Sequence, residues 1–415
     1  MSPYLRSDSP LAVRYIDLCY DPHNSESSAL RLIHTLFPEW QRSEGAIELI
    51  RFTDGITNTL LKAQKRRPGY SQEQVDHEAV LLRAYGQGTD VLIDRESESG
   101  EIRAHSLLAS QGLAPPLFAR FANGLLYKFV PGNVCSPQDI PRPQIYRAVA
   151  EKLGQWHATL SIAVLSDLAD LKDADADLSG HVTSNCTKSD MPIPNMWSIT
   201  HSWIKALPAE SDKQREQVRT IQSEFDFLKA KLARLPGPFG KDFVFAHCDL
   251  LLGNVIIEPS VVNGHSSNSK VHFIDYEYST PAPAAFDIAN HFAEWAGMNC
   301  DYNAIPTTST RRDFVESYVK SYFKHSDRPS ESLSPEVAVD QLCSLVDLYR
   351  GVPGFYWGVW ALIQAQISHI DFDYASYAEE RFGEYYAWKA ELDGSRVAQR
   401  KDLPLRERRW TQDDD

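Results

Sequence analysis

The chain has 415 residues, 43% hydrophobic and 24% charged, with a formal net charge of −14 and a sequence pI near 5.4. That is an ordinary globular composition, with enough length for a two-lobed enzyme. The acidic excess repels nucleic acid and anionic membrane at long range, so any nucleotide must be bound by a local site.

The opening MSPYLRSDSP has no basic segment followed by an apolar run, so no secretory signal is expected. The most apolar helical stretch, GFYWGVWALIQAQI at 354–367, is interrupted by Gln364 and Gln366. It falls short of the ~20 apolar residues of a membrane span, so no transmembrane segment is expected. Cys19, Cys135, Cys186, Cys248, Cys300 and Cys343 are scattered, with no CxxC pair. This usage reads as free thiols in a reducing compartment, and the expected location is cytoplasmic.

In chain order, residues 24–40 predict one helix, opened by Asn24 and Ser25, with Leu30, Ile33, Leu36 and Phe37 on one face. Strands are predicted at 46–52 (AIELIRF), 56–63 (ITNTLLKA), 79–85 (AVLLRAY) and 90–94 (DVLID). A helical pattern covers 99–111, and FARFANGLLYKFV at 118–130 reads as a hairpin about Asn123-Gly124. This gives an N-terminal extension with one helix (1–45) and a β-rich lobe (46–131). After PGN at 131–133 the pattern becomes helical, with Val149, Leu153, Trp156 and Leu160 spaced on one face of 146–160. Residues 161–196 are acidic and polar and read mostly as a surface insertion or loop. A long helix is expected at 211–234, then a strand and loop at 243–254, two short strands, and helices to the end. Residues 132–400 thus form a mainly helical lobe, and 401–415 a charged tail.

The segments carrying chemistry are HCDLLLGNVIIE (247–258) and VHFIDYEYS (271–279). Their strands, NVIIE and VHFID, pair as an antiparallel hairpin that sets Glu258 near Val271 and Asn254 opposite Asp275. An amide oxygen and a carboxylate then meet at the open end, with Asp249 on the loop feeding it. Two oxygen ligands plus phosphate oxygens suit Mg²⁺, and Asp249 is placed to accept a proton from a substrate hydroxyl.

The HxDxxxxN pattern, followed by a strand ending in Asp, resembles the catalytic brace of protein-kinase-like phosphotransferases, aminoglycoside kinases included. The continuation IDYEYSTPAPAAFDIANHFAEWAG (274–297) resembles more narrowly the signature of choline/ethanolamine kinases, and the likeness runs from about residue 24 to about 390. It implies an α+β, protein-kinase-like two-lobed fold. It also implies ATP and Mg²⁺ as cofactors, Asp249 as catalytic base, and Asn254 and Asp275 as metal ligands.

In FTDGITNTL (52–60), Gly55, Thr57 and Asn58 would contact the nucleotide phosphates, although an Asp-Gly turn alone is also the commonest hairpin turn. Arg83 would hold phosphate with Glu101 as its partner, and Lys62 is a rival cation. Backbone groups near Lys128 and Val130 would meet adenine. Tyr278, Glu294, Trp357, Trp360 and Tyr377 match the family's amine pocket, where aromatic faces and a carboxylate hold an ammonium. Asp287 reads as a brace of the catalytic loop and His247 as scaffold.

Choline lacks N–H donors and wants aromatic walls, whereas ethanolamine's ammonium also seeks oxygen acceptors. Asn299, standing where choline kinases carry a tyrosine, together with DGITN and VLIDR (91–95), points to ethanolamine and its conversion to phosphoethanolamine. A choline kinase, a dual choline/ethanolamine kinase and a non-catalytic kinase-like binding protein are the alternatives. The partners implied are ATP and a small amino alcohol, not nucleic acid, with a homodimer left open.

Overall fold

The computed structural model describes residues 13–52, 58–85, 101–160, 162, 194–258, 269–326, 334–368 and 370–413. It divides into two units: Met1–Asn133 with His272–Ile274, and Val134–Val271 with Asp275–Asp415.

The first unit is built on a sheet of β1 (Tyr15–Ile16), β2 (Ala46–Phe52), β3 (Asn58–Arg66), β4 (Val80–Tyr85), β5 (Leu117–Phe121) and β6 (Gly124–Lys128). The spatial order is β1-β5-β6-β4-β3-β2, with β1 parallel to β5 and every other pair antiparallel. Strand period 2 sorts the side chains into two layers. Val80, Leu82 and Ala84 join Leu61, Ala63, Phe121 and Leu126 on the face covered by α1 (Ser25–Leu36), through its Ala29, Leu32, Ile33 and Leu36. Leu81, Leu125 and Tyr127 face the other way, with Phe52, Leu60 and Ile102.

The predicted helix over 24–40 is two helices, α1 and α2 (Pro38–Arg42). Pro38 forces the residue before it out of helical geometry, and Phe37 sits at φ −125°, ψ 79°. Asn24 makes no side-chain cap bond; Asp21 instead accepts from the His23 N–H at 2.9 Å. A third helix, α3 (Gln72–Glu78), was not expected, although Ser71 and Gln74 form a capping box legible as S-x-x-Q. The helix predicted at 99–111 is α4 (Glu101–Ser110), and the hairpin turns at Asn123, whose side chain is bonded to both backbone groups of Tyr20 at 2.9 Å. The strand expected at 90–94 lies outside the described residues.

The second unit holds α5 (Pro143–Thr159), α6 (Met196–Lys205), α7 (Asp212–Leu232), α8 (Ala284–Glu294), α9 (Thr308–His325), α10 (Pro335–Tyr349), α11 (Val352–Ile367) and α12 (Tyr374–Leu392). The helices α13 (Ser395–Ala398) and α14 (Leu405–Trp410) follow. Glycine lets two helix pairs touch: a Cβ on Gly154 would lie 2.4 Å from Tyr318 O, and one on Gly354 2.5 Å from Arg381 O. Most of the segment read as an insertion at 161–196 lies outside the described residues, but its end starts α6, capped by Asn195. The expected charged tail also differs. Its helix α14 buries Arg406, Glu407 and Trp410, because ion pairs and the Trp410 ring anchor it to the unit.

Candidate active site

The site in the helical unit begins with two three-residue strands, Val244–Ala246 and Thr280–Ala282, paired antiparallel with Ala246 opposite Thr280. Their pairing delivers the loop 247–254 to one face of α8. Asp287, Asn290 and His291 lie three and four residues apart, hence on that face. Asp287 accepts from the backbone N–H groups of His247 (2.9 Å) and Cys248 (2.8 Å) and from His157 Nε2 (3.0 Å). Asn290 donates to Cys248 O at 3.0 Å, and His291 Nδ1 to Leu250 O at 2.8 Å. The Trp295 indole N–H donates to His291 Nε2 at 3.2 Å, which assigns the imidazole proton to Nδ1. Burial pushes the His291 imidazole down to about 4, so it stays neutral in that role. Cys248 is thereby held at φ 62°, a conformation few side-chain-bearing residues adopt.

Asp249 projects from this pinned loop and is buried. Burial raises its carboxyl well above the usual range, and the charges of Asp275, Glu294 and Glu277 raise it further. Asn254 opposes that by donating to Asp249 Oδ2 at 3.1 Å and to Asp249 O at 2.8 Å. With its amide nitrogen committed to Asp249, Asn254 turns its oxygen away from it. The hairpin register is one residue from that expected: the Glu258 N–H donates to Lys270 O at 2.9 Å, so Glu258 faces Lys270 and not Val271. The chain then leaves the pleat at Asp275, φ 65°. Proximity to Asp249 thus comes from a backbone bend, which strand alternation could not foretell. Among the described residues, no group of three or more His, Cys, Asp or Glu side chains forms a metal cluster.

Tyr278, Trp357 and Trp360 meet as expected. The Trp360 indole donates to the Tyr278 hydroxyl at 2.9 Å, and Trp357 packs edge-on against Tyr278 (5.6 Å) and Trp360 (5.5 Å). The Trp357 indole donates to Asn290 Oδ1 at 2.8 Å, tying the aromatic helix to the loop brace. Tyr377 is reached through Phe372 and Tyr374 and lies over the Arg381 guanidinium. Glu294 accepts from Arg381 Nη2 at 3.1 Å; burial raises its carboxyl, while Arg381 opposes the rise. Sequence reasoning missed Arg381, although it stands one helical turn beyond Tyr377 and so shares its face. It also missed Asn290 and His291, both inside the NHFAEWAG motif. Asn299 is exposed in the turn after α8.

In the first unit, Arg83 is buried and donates to Glu101 Oε1 at 2.9 Å, the expected pair. The rival Lys62 is committed elsewhere, to Asp76 of α3 at 2.6 Å and to the Phe129 ring at 4.2 Å. Asn58 opens β3 opposite Tyr85, whereas Gly55 and Thr57 lie outside the described residues. The Lys128 N–H donates to Pro116 O at 2.9 Å, but proline has no N–H to return the second bond of that strand pair. Lys128 ends β6, and Val130 follows two residues beyond it.

The sequence model of the choline/ethanolamine kinase family matches residues 49–386. Human ethanolamine kinase 2 is 32% identical over 383 residues, covering 91% of this chain and 85% of that protein. Among solved structures, an ethanolamine kinase of Plasmodium vivax superposes with a TM-score of 0.63 at 22% identity, covering 88% of this chain and 89% of its own. A choline kinase from Cryptosporidium parvum gives 0.61 at 22% identity, covering 92% and 98%. Those structures share the protein-kinase-like fold, and their names differ in the alcohol, so the fold does not choose between substrates. The sequence match over most of the chain places it in the choline/ethanolamine kinase family.

Proposed function

We propose that this protein transfers the γ-phosphoryl group of ATP to the hydroxyl of ethanolamine, giving phosphoethanolamine and ADP. The observation that carries the proposal is Asp249, buried on a loop pinned by α8, within electrostatic reach of both Asp275 and Glu294. Asp249 is the base: it accepts the hydroxyl proton as the oxygen bonds to phosphorus and the bond to the β-phosphate oxygen breaks. Asp287 positions that loop and touches no reactant. Tyr278, Trp357, Trp360 and Tyr377 wall the ammonium, and Glu294 supplies the oxygen acceptor its N–H donors require. The naming of the human relative for ethanolamine supports the same choice.

The donor set fits Mg²⁺. Asn254 offers an amide oxygen and Asp275 a carboxylate, both hard ligands, and the acidic surroundings of Asp249 favour a cation. Asn254 and Asp275 would hold the ion, and it would supply neutralisation of phosphate charge. For ATP itself, Arg83 held by Glu101 faces the phosphates. Gly55, Thr57 and Asn58 belong to the phosphate loop, and the Lys128 carbonyl with the Val130 N–H receives the adenine edge. Free thiols at Cys19, Cys135, Cys248, Cys300 and Cys343 support a cytoplasmic location. Among the described residues no helix is long and apolar enough to cross a membrane.

ADP release with ethanolamine or choline, Mg²⁺ and ATP tests the assignment. A higher kcat/KM for ethanolamine is expected, and a clear choline preference would overturn the substrate. No ADP release with either alcohol would overturn the activity.

A further inference from the structure

Glu294 is the inner end of a buried row of alternating charges. Arg381 Nη2 is 3.1 Å from Glu294 Oε1, and Arg381 Nη1 is 3.5 Å from Glu384 Oε1. Arg406 Nε lies 3.5 Å from Glu384 Oε2, and Arg406 Nη1 is 3.1 Å from Glu407 Oε1. Glu407 Oε2 in turn accepts from Arg350 at 2.8 Å. The side chains of Arg381, Glu384, Arg406 and Glu407 are each no more than 2% exposed. Water screens none of them, so each charge depends on its neighbours in the row.

The row crosses three helices. Glu294 ends α8, Arg381 and Glu384 stand on α12, and Arg406 and Glu407 belong to α14. The family match stops at residue 386, so α14 lies beyond it. That helix is nevertheless locked in place. Arg406 Nη2 donates to Arg350 O at 2.5 Å, the Trp410 indole to Asp347 at 2.7 Å, and the Arg311 guanidinium lies 3.8 Å from the centre of the Trp410 ring.

Both contacts of Glu384 are at 3.5 Å, longer than an ordinary N–H···O bond. Glu384 is therefore held by charge from two sides, and Arg381 is shared between Glu384 and Glu294. Removing the outer cation leaves Glu384 to draw Arg381 towards itself and away from Glu294.

We propose that Arg406 is a positioning residue for amine binding: the C-terminal helix neutralises Glu384 and so keeps Arg381 on Glu294. This rests on the reading of Glu294 as the ammonium acceptor.

The test measures KM for ethanolamine and for ATP separately, alongside melting temperature, in the full-length enzyme. Arg406→Met is expected to raise the ethanolamine KM about tenfold while the ATP KM stays within about twofold. Arg406→Lys keeps the charge and should recover part of the loss. In the double variant Arg406→Met with Glu384→Gln, the pull on Arg381 is gone and the ethanolamine KM should fall back towards wild type. The proposal fails if Arg406→Met lowers only the melting temperature, if both KM values rise alike, or if the double variant is no better than the single one. Glu294→Gln is the control. If it raises the ethanolamine KM and Arg406→Met does not, the inference fails and the amine-site reading stands. If Glu294→Gln leaves that KM unchanged, the amine-site reading itself fails and takes this one with it.

Discussion

Asp287 and Asp249 are both buried carboxylates of the helical unit, and their surroundings treat them in opposite ways. Burial raises each, but at Asp287 the hydrogen bond and charge of His157, the charge of His247 and the His247 backbone bond outweigh it, and the carboxyl ends below its ordinary range. Among the described residues Asp249 has one side-chain donor, Asn254, against three acidic neighbours, and ends well above that range. The first arrangement satisfies an ion and fixes the backbone around it. The second leaves an acid poorly compensated, an environment that functional sites often keep at a cost in stability. Buried acids of one type, near one loop, are thus told apart by their donors.

The sharpest way to break this contrast is Asp249→Ala. With the base removed, kcat is expected to fall by about 10²–10⁴-fold while the KM for ATP changes little. Because the base acts ionised, wild-type kcat/KM should fall as pH drops through its raised carboxyl value, and that limb should vanish in the variant. Near-normal turnover would remove Asp249 from the chemistry and leave the two acids with the same, structural, role.

The contrast was only half legible in the sequence. HCDLLLGN and the strand ending in Asp275 pointed to Asp249, Asn254 and Asp275 as candidates, because the proposed chemistry needs those residue types close together. The strand spans of the first unit were largely legible, and alternation within β4 places Val80, Leu82 and Ala84 on one face. What failed depended on partners distant in sequence. Asp287 could be read as a brace, but not that His157, 130 residues away, would share it. Arg83 was paired with Glu101 from the sequence, but that Lys62 would be taken up by Asp76 of α3 was not legible, because α3 itself was not expected. The C-terminal segment looked like a solvated tail because Arg406 and Glu407 are charged, and only the partners Glu384 and Arg350 make their burial tolerable. The bend at Asp275 and the left-handed Cys248 carry no sequence signal, since neither is glycine.

Asp287→Ala should show the second largest effect, and in a different observable. It strips the acceptor from two backbone N–H groups and from His157 in a site closed to water. A loss on the order of 3–5 kcal/mol is expected in denaturant unfolding. The sign with pH follows from its depressed carboxyl. The stabilisation is present above the ordinary value of 3.8 and is lost as pH falls through the lower folded-state value. The gap between wild type and variant should therefore narrow only in strong acid. A variant as stable as wild type at neutral pH would mean the three donors find other acceptors, and the loop would owe its shape to Asn290 and His291.

The smallest effect has the opposite sign and is the most discriminating. A carboxyl raised above its unfolded value favours the folded state when protonated, so at Asp249 stability is lost as pH rises from 3.8 through the raised folded value. Above that value the ionised side chain is a liability, and Asp249→Asn, nearly the same shape, removes the charge. A gain of about 1 kcal/mol is expected without nucleotide or metal, seen as a rise of about 1–2 °C in melting temperature for a chain of this size. The gain should shrink in acid, where wild-type Asp249 is already protonated. It should also shrink when Mg²⁺ and ATP are added, because the cation stabilises the wild-type site more than the neutral one. If Asp249→Asn is destabilising at neutral pH, Asp249 is a satisfied ion like Asp287, and the distinction between the two carboxylates collapses.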